Sequence, residues 1–396
     1  MDKNLGIDVA LRMAKLRKLR MGMIGGGRGA FIGAVHRIAA SIDQQIELVC
    51  GAFSSSAEKS IASGEDFFLA EERCYGTYAE MMEKENALPA DQRMDFVAIV
   101  TPNHVHFPAA KAALEAGFHV LSDKPATLNL EEAKELVKIV EKTGQLYGLT
   151  HNYTGYPMIK QAKHMVANGD LGKIRKVVVE YPQGWLATKI EDSEQKQAAW
   201  RTDPKKSGAA GCIGDIGSHA ENLAEYVSGL EIKELAADLT AFVEGRALDD
   251  DGNILLRFDG GAKGVLHASQ ISVGQENNIN LRIWGEKGGL EWRQSDANTL
   301  VVSAAEGPAS IYRAGEGYLC QAAQDACRTP PGHPEGYLEA FANVYAAFVE
   351  HMRDRISGEE KASYDYPSIQ DGVRGMAFIN AAVESSEKNS AWTGLE

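Results

Sequence analysis

Between residues 18 and 150, short apolar runs alternate with longer stretches in which apolar residues recur every three or four positions. "KLRMGMI", "IELVCGAF", "DFVAIV", "FHVLS" and "QLYGLT" read as strands. "AFIGAVHRIAASI", "YAEMMEKEN", "PAAKAALEAG" and "NLEEAKELVKIVEKTG", which lie between them, read as helices. In the last of these, Ala133, Leu136, Val137 and Val140 fall on one face at 3.6-residue spacing. Asn129 followed three residues later by Glu132 resembles a capping box at its start. Strands and helices in strict alternation predict a parallel sheet flanked by helices.

After residue 150 the period changes. One helix, "MIKQAKHMVANG", leads into longer runs such as "KIRKVVVEY", "ELAADLTAFVE", "NILLRF", "KGVLHASQISV", "NINLRIWG" and "NTLVVS", separated by Gly- and Asp-rich turns. In the fifth run Ile279, Leu281 and Ile283 point one way while Asn280, Arg282 and Trp284 point the other. That alternation predicts a mainly antiparallel sheet with one face under helices and the other facing water or a second subunit. A homo-oligomer, dimer or tetramer, built through the open face follows as an expectation. Late in the chain Leu338, Phe341, Tyr345, Phe348 and Met352 form the stripe of another helix.

Composition narrows the class without naming it. The 396 residues are 44% hydrophobic and 24% charged, an ordinary globular balance. With 41 basic against 55 acidic side chains the formal charge is −14, which disfavours nucleic acid or an anionic membrane as partner and says nothing of a local basic pocket for a phosphate. Cys50, Cys74, Cys212, Cys320 and Cys327 are scattered without ligand spacing, so no metal and no disulfide framework is expected. The first twenty residues lack a signal-peptide pattern, and nothing approaches the roughly 20 apolar residues of a membrane span. A cytoplasmic protein with free thiols fits best.

The candidate chemistry lies at strand ends. In "IGGGRGA", Gly25, Gly27 and Ala30 fit the G-x-G-x-x-G/A pattern between a strand and a helix, where backbone amides can approach a pyrophosphate. Arg28, Gly29, Phe31 and Ile32 complete that cofactor-binding turn. The acid that usually follows about 20 residues later is replaced by Ser54. Ser54 with Arg28 or Lys59 suits the extra phosphate of NADP, and serine hydroxyls alone suit the ribose of NAD. "VTPNHVHF" closes a strand at Val100 and sets Thr101, Pro102, Asn103 and His106 at the crevice. His104 and His106 have no third ligand in sight, and packing or helix-entry roles suit them better than metal binding. Lys124, in "VLSDKPATL", stands between Asp123 and Pro125 where a strand gives way to a helix, the position from which open parallel sheets present ligand-binding groups. In "GDIGSHAENLAEYVSG", a helix starting near Gly214 puts Asp215 and His219 at i and i+4 on one face. A histidine beside a carboxylate is a serviceable general base. An exposed polar pair is the commoner explanation of that spacing alone.

Taken in order, "GGGRGAFIG", "TPNHVHFPAAKAALEAGFHVLSDKPAT", "LGKIRKV", "WRTDPKKSGAAGCIGDIGSH" and "WGEKGGLEW" resemble the glucose–fructose oxidoreductase / inositol dehydrogenase / MocA (Gfo/Idh/MocA) family from about residue 18 to 386. The resemblance implies an α/β fold: a Rossmann dinucleotide-binding domain over 18–150, then an α+β domain over 151–396 with a large open-faced sheet. It lets the last helix, about 367–386, pack back on the first domain. Asp123-Lys124-Pro125 stands where the family has Glu-Lys-Pro, so Lys124 is implied as the catalytic lysine, beside a cis bond in many members. Asp215 and His219 match the family's Asp-x-x-x-His pair and complete a triad, with His219 as base and Asp215 orienting it or holding a substrate hydroxyl. Trp200-Arg201 resembles a segment that reaches the cofactor, and Asn152 is placed with it. Tyr153, Trp185 and His333 are expected around a sugar. The implied cofactor is NAD, with NADP open. The implied activity is hydride transfer at a secondary hydroxyl of a sugar, glycoside (at C3 among other positions) or cyclitol. Two alternatives use the same chain: NAD-dependent glycoside cleavage through transient C3 oxidation, and a cofactor-bound regulator without turnover.

Overall fold

The structure, a computed structural model, describes residues 17–193 and 195–395; the leader, where no signal peptide is read, otherwise lies outside the described residues. Five parallel strands form the first sheet: β1 (Leu19–Gly25), β2 (Ile46–Ala52), β3 (Phe96–Val100), β4 (His119–Ser122) and β5 (Tyr147–Leu149), in the order β2-β1-β3-β4-β5. Their connections are helices α1 (Phe31–Ile42), α2 (Ala57–Asp66), α3 (Tyr78–Ala87), α4 (His106–Glu115) and α5 (Leu130–Thr143). Every residue of β3 is buried, as a strand covered on both faces requires. Beyond β2, a single bridge between Gly51 and Cys74 occupies the place of a further edge strand. The cap at Asn129 forms as its sequence suggests: its Oδ1 accepts from the Glu132 amide at 2.9 Å, while Glu132 reaches back to the Leu128 amide at 3.0 Å.

The chain leaves β1 toward β2 on one side and returns to β3 on the other, so the strand order reverses at the carboxyl ends of β1 and β3. This is the crevice in which open α/β sheets bind ligands. Backbones crowd together there. Gly25 has φ +79°, and a Cβ on it would lie 2.3 Å from the Val100 carbonyl oxygen.

The second sheet has nine strands: β6 (Ile174–Pro182), β7 (Ile232–Thr240), β8 (Asp251–Phe258), β9 (Lys263–Ser269), β10 (Asn280–Gly285), β11 (Gly288–Arg293), β12 (Thr299–Ala304), β13 (Ser310–Arg313) and β14 (Thr393–Gly394). Their order is β13-β12-β11-β10-β6-β9-β8-β7-β14, and every neighbouring pair is antiparallel except the central β6–β9. Helices α6 (Pro157–Ala167), α7 (Ser218–Ser228), α8 (Tyr337–Ser357) and α9 (Ile369–Glu387) follow in chain order. Val177, Val179, Leu281 and Ile283 are fully buried in the core beneath α6, α7 and α9. On the opposite face Arg282, Val178, Val265 and Leu255 line up across four strands, and Leu255 is 52% exposed. Among the described residues nothing covers that face.

Helices α8 and α9 lie against the dinucleotide-binding lobe. His36 of α1 is fully buried and bonds the Tyr345 hydroxyl of α8 at 2.8 Å. On α9, a Cβ at Gly372 would stand 2.7 Å from that of Ala126. No helix among the described residues is long and apolar enough to cross a membrane.

Helix α1 packs tightly on the glycine loop at Gly33, where a Cβ would be 2.3 Å from the Gly26 carbonyl oxygen and 2.4 Å from its Cα. Alanine there gains about 1 kcal/mol of helix propensity, but the opposing atoms are backbone and cannot swing aside. Overpacking of this kind costs about 1–3 kcal/mol. Gly33→Ala is therefore expected to lower the urea midpoint and to weaken NADH binding by fluorescence titration; an unchanged midpoint would show that α1 has room to shift.

Candidate active site

Four loops leave the carboxyl edge of the parallel sheet and converge: Gly25–Ala30 after β1, Thr101–Asn103 after β3, Asp123–Pro125 after β4 and Thr150–Tyr153 after β5. His106 ties two of them together, one ring nitrogen against the Pro125 carbonyl at 2.7 Å and the other against that of Thr101 at 2.9 Å. Asn103 reaches the second lobe and donates to the Ser207 carbonyl at 2.8 Å. Both residues hold backbone and lie outside the linings of the two cavities at this site.

Lys124, whose peptide bond to Pro125 is cis, points from the first lobe into the second. There a π-type turn over Ile213–Gly217 runs directly into α7, so the regular helix begins at Ser218 rather than near Gly214. Asp249 clamps that turn, its two carboxylate oxygens accepting from the Gly211 amide at 2.7 Å and the Ile213 amide at 2.8 Å. The turn presents Asp215 to Lys124. The Lys124 ammonium donates to the Asp215 carbonyl and, at 3.0 Å, to its Oδ1. Asp215 Oδ2 accepts from Arg201 Nε at 3.1 Å and from Gln270 at 2.8 Å. Burial alone raises this carboxyl, but Arg201 and Lys124 outweigh it and hold Asp215 well below the usual carboxylate range.

Both oxygens of Asp215 are thus engaged with groups other than His219, which corrects the picture of a carboxylate orienting the imidazole. The His219 ring is set instead by edge-to-face packing against Tyr153, with centroids 5.0 Å apart, and against His151 at 5.3 Å. Its Nδ1 is buried without a partner, which leaves Nε2 to meet a ligand. Burial first, then the Lys124 charge and His151, hold the imidazole neutral against the pull of Asp215. His151, overlooked in the sequence, is likewise kept neutral, near 3, by burial and by Lys124.

Two cavities meet here. An inner one of about 380 Å³ is lined by Lys124, Asp215, His219, Asn152 and Tyr153 among others. An outer one of about 830 Å³ runs over Gly27, Arg28, Gly29 and Ala30. Phe31, Gln183, Arg201, Asp215 and Asn277 line both. The glycine loop fits a pyrophosphate: Ala30 offers no side-chain cap to the first turn of α1, and a Cβ on Gly27 would lie 2.6 Å from Ser63 Oγ. Arg28 there is paired with Asp66, and Ile32 lines the inner cavity. Asp123 also lines it, while accepting from the Lys124 amide at 2.8 Å.

Other expected site residues fall elsewhere. His333 is exposed on a loop with its ring nitrogen against the Pro330 carbonyl, outside both linings and apart from the residues expected beside it around a sugar. Trp185 lines the outer cavity rather than the inner one. Trp200 lines neither and stacks beneath the Arg201 guanidinium at 4.3 Å. Ser54 and the crevice residues Thr101 and Pro102 are also outside the two linings; Ser54 Oγ accepts from the Ser56 amide. Conversely, Tyr181, Gln183, Asn277 and Gln294 line the inner cavity without having been singled out. Tyr181 carried a usable signal, because it continues the inward alternation of Val177 and Val179.

A glycine cradle at the switch point of a parallel sheet, facing a charged cleft in a second sheet, defines a dinucleotide-dependent oxidoreductase. Residues 19–153 match the oxidoreductase family described as an NAD-binding Rossmann fold, and residues 159–291 match the GFO/IDH/MocA C-terminal domain. The chain belongs to the Gfo/Idh/MocA family. It is 46% identical to an oxidoreductase from Sinorhizobium meliloti, with a TM-score of 0.85 over 95% of this chain and 99% of that one. An inositol dehydrogenase homologue from Azotobacter vinelandii, solved with NAD+, is 33% identical with a TM-score of 0.90, covering 96% and 97%. The same homologue solved with NADH and myo-inositol gives 32%, a TM-score of 0.88, and 96% and 98%. Levoglucosan dehydrogenase from Pseudarthrobacter phenanthrenivorans is 25% identical over 95% of this chain and 98% of its own length.

The clamp at Asp249 is open to a test that needs no substrate. In Asp249→Asn one of the two amides faces an N–H instead of an oxygen, and an unsatisfied donor costs about 1–3 kcal/mol. Urea denaturation is expected to show a loss of that size. No loss would mean that the π-type turn holds itself.

Proposed function

We propose that the chain is an NAD-dependent dehydrogenase acting on a secondary hydroxyl of a sugar, glycoside or cyclitol. The observation that carries this reading is the position of Lys124, Asp215 and His219 on the inner cavity, with Asp215 also bordering the cavity over the glycine loop. The Azotobacter homologue's complex with myo-inositol and the levoglucosan relative support the substrate class.

NAD, when bound along the glycine loop, supplies the hydride acceptor. The chain does the rest. The hydroxyl sits within reach of the Lys124 ammonium, which stabilises negative charge as it develops on the oxygen. His219, neutral before the reaction, takes the hydroxyl proton, a role commonly worth about 10²–10⁴-fold. Asp215 holds Lys124 and Arg201 in place, so the cations are fixed before substrate arrives. The same reading seats a second copy of the chain on the uncovered sheet face. There Val178, Val265 and Leu255 lie among the pairs Arg282–Glu180, His267–Asp251 and Arg257–Glu234, a surface of both signs that can complement itself. Light scattering is expected to give at least twice the chain mass.

The decisive assay follows NADH absorbance with a panel of inositols, free sugars and glycosides. A substrate-dependent rise is expected, reduced about 10²–10³-fold in Lys124→Ala. Release of aglycone without accumulating NADH would instead identify redox-neutral glycoside cleavage. The pH profile provides a second check. Because His219 is held below its ordinary value near 6.5, it is already unprotonated at neutral pH, and the acid limb of the oxidation rate should fall below pH 6.5. A limb above 6.5 would remove His219 as the base.

A further inference from the structure

Part of the inner cavity's wall is a closed circuit of neutral groups. Tyr181 Oη donates to Asn277 Oδ1 at 2.8 Å, which spends the only hydrogen that phenol has. The hydrogen between Tyr153 and Tyr181 must therefore come from Tyr153. Asn277 Nδ2 closes the circuit by donating to Tyr153 Oη at 3.2 Å, and gives its second hydrogen to Gln294 Oε1 at 3.0 Å. Gln183 also donates to Asn277 Oδ1 and accepts from Trp185 at 3.0 Å. Every polar atom of the Asn277 side chain is spoken for, and both phenols are left with lone pairs but no hydrogen to give. Asn152, 1% exposed, adds an amide nitrogen with no partner.

A ligand completing this wall has to donate to the phenol oxygens and accept at an amide. A hydroxyl does both, whereas a phosphate or carboxylate oxygen at neutral pH only accepts. Charge points the same way. The cations on the inner lining, Lys124 and Arg201, are both engaged by Asp215, and a buried anion without its own counter-charge is costly.

Resting on the polyol reading above, we propose that the inner cavity admits an uncharged polyol and rejects phosphate esters and uronates, with Asn277 as the specificity-determining residue. Asn277 acts by fixing the direction of the circuit. Replacing it with aspartate removes both donors, releases the Tyr153 and Gln294 oxygens and brings a negative charge to the wall.

The test is calorimetric titration of the NADH-loaded chain with myo-inositol, glucose, glucose 6-phosphate and glucuronate. An uncharged ligand is expected to bind at least tenfold more tightly than its charged counterpart. Asn277→Asp should weaken that ligand about tenfold or more, the scale of one lost hydrogen bond to a ligand. With a turned-over substrate it should raise KM more than it lowers kcat. Asn277→Ser, which adds no charge, should show the same KM-weighted loss in smaller degree, and serves if the aspartate variant does not fold. Tighter binding of the phosphate or uronate would overturn this proposal and leave the polyol reading standing. Loss confined to kcat in both variants would overturn the role of Asn277. Heat from none of the four ligands, and no turnover on the wider panel, would overturn the polyol reading and this proposal with it.

Discussion

One carboxylate, Asp215, is where the two lobes grip each other's chemistry. Its oxygens are shared among a lysine from the loop after β4, an arginine from the second lobe and an amide from the end of β9. Withdrawing three charges from water has a price of several kcal/mol per ion, recovered only when geometry is good and the remaining valences are met. The surrounding structure supplies that geometry. Asp249 fixes the turn that carries Asp215, His106 fixes the loops beside Lys124, and Asn103 joins the crevice to Ser207. These are backbone-holding contacts, and each keeps a charged group from drifting into a position where it would be unpaired.

Burial, and after it the Lys124 ammonium, also set the neighbouring histidines, and His151 and His219 stay neutral against the pull of Asp123 and Asp215. In that state the His219 imidazole needs no prior loss of a proton to act as the base proposed for it.

The dinucleotide-binding lobe was legible because its signals are local. Strands buried on both faces read as continuous apolar runs, Asn129 and Gly144 bound a helix with a clear apolar stripe, and Lys124 falls at a strand end that the pattern itself defines. Asp215 and His219 were legible as a spacing, although not as the turn they occupy. What escaped was set by contacts far apart in the chain. Gln183 and Gln270 enter the site because β6 and β9 run parallel and end together, and Asn277 and Gln294 because they lie beside the opposite ends of β10 and β11. No local period announces a polar residue just past a strand. Edge strands β13 and β14 escaped for another reason: they are short and mostly exposed, so burial left little pattern to read. The tight packing of α1 falls to Gly33, beyond the glycine pattern that identified the loop.

The parallel pair at the centre of the second sheet has a further consequence. Antiparallel neighbours can be joined by a tight turn, but two parallel strands oblige the chain to travel back before the second can begin. In this protein the return journey from β6 to β9 carries Trp185, Arg201, Asp215 and His219, along with the Asp249 that steadies them. The proposed base and its neighbouring carboxylate therefore ride on a connection, one long enough to supply β7 and β8 as well. Residues in its loops can be exchanged while those strands keep their register, so one scaffold can be re-equipped for new substrates by editing the loops of a connection.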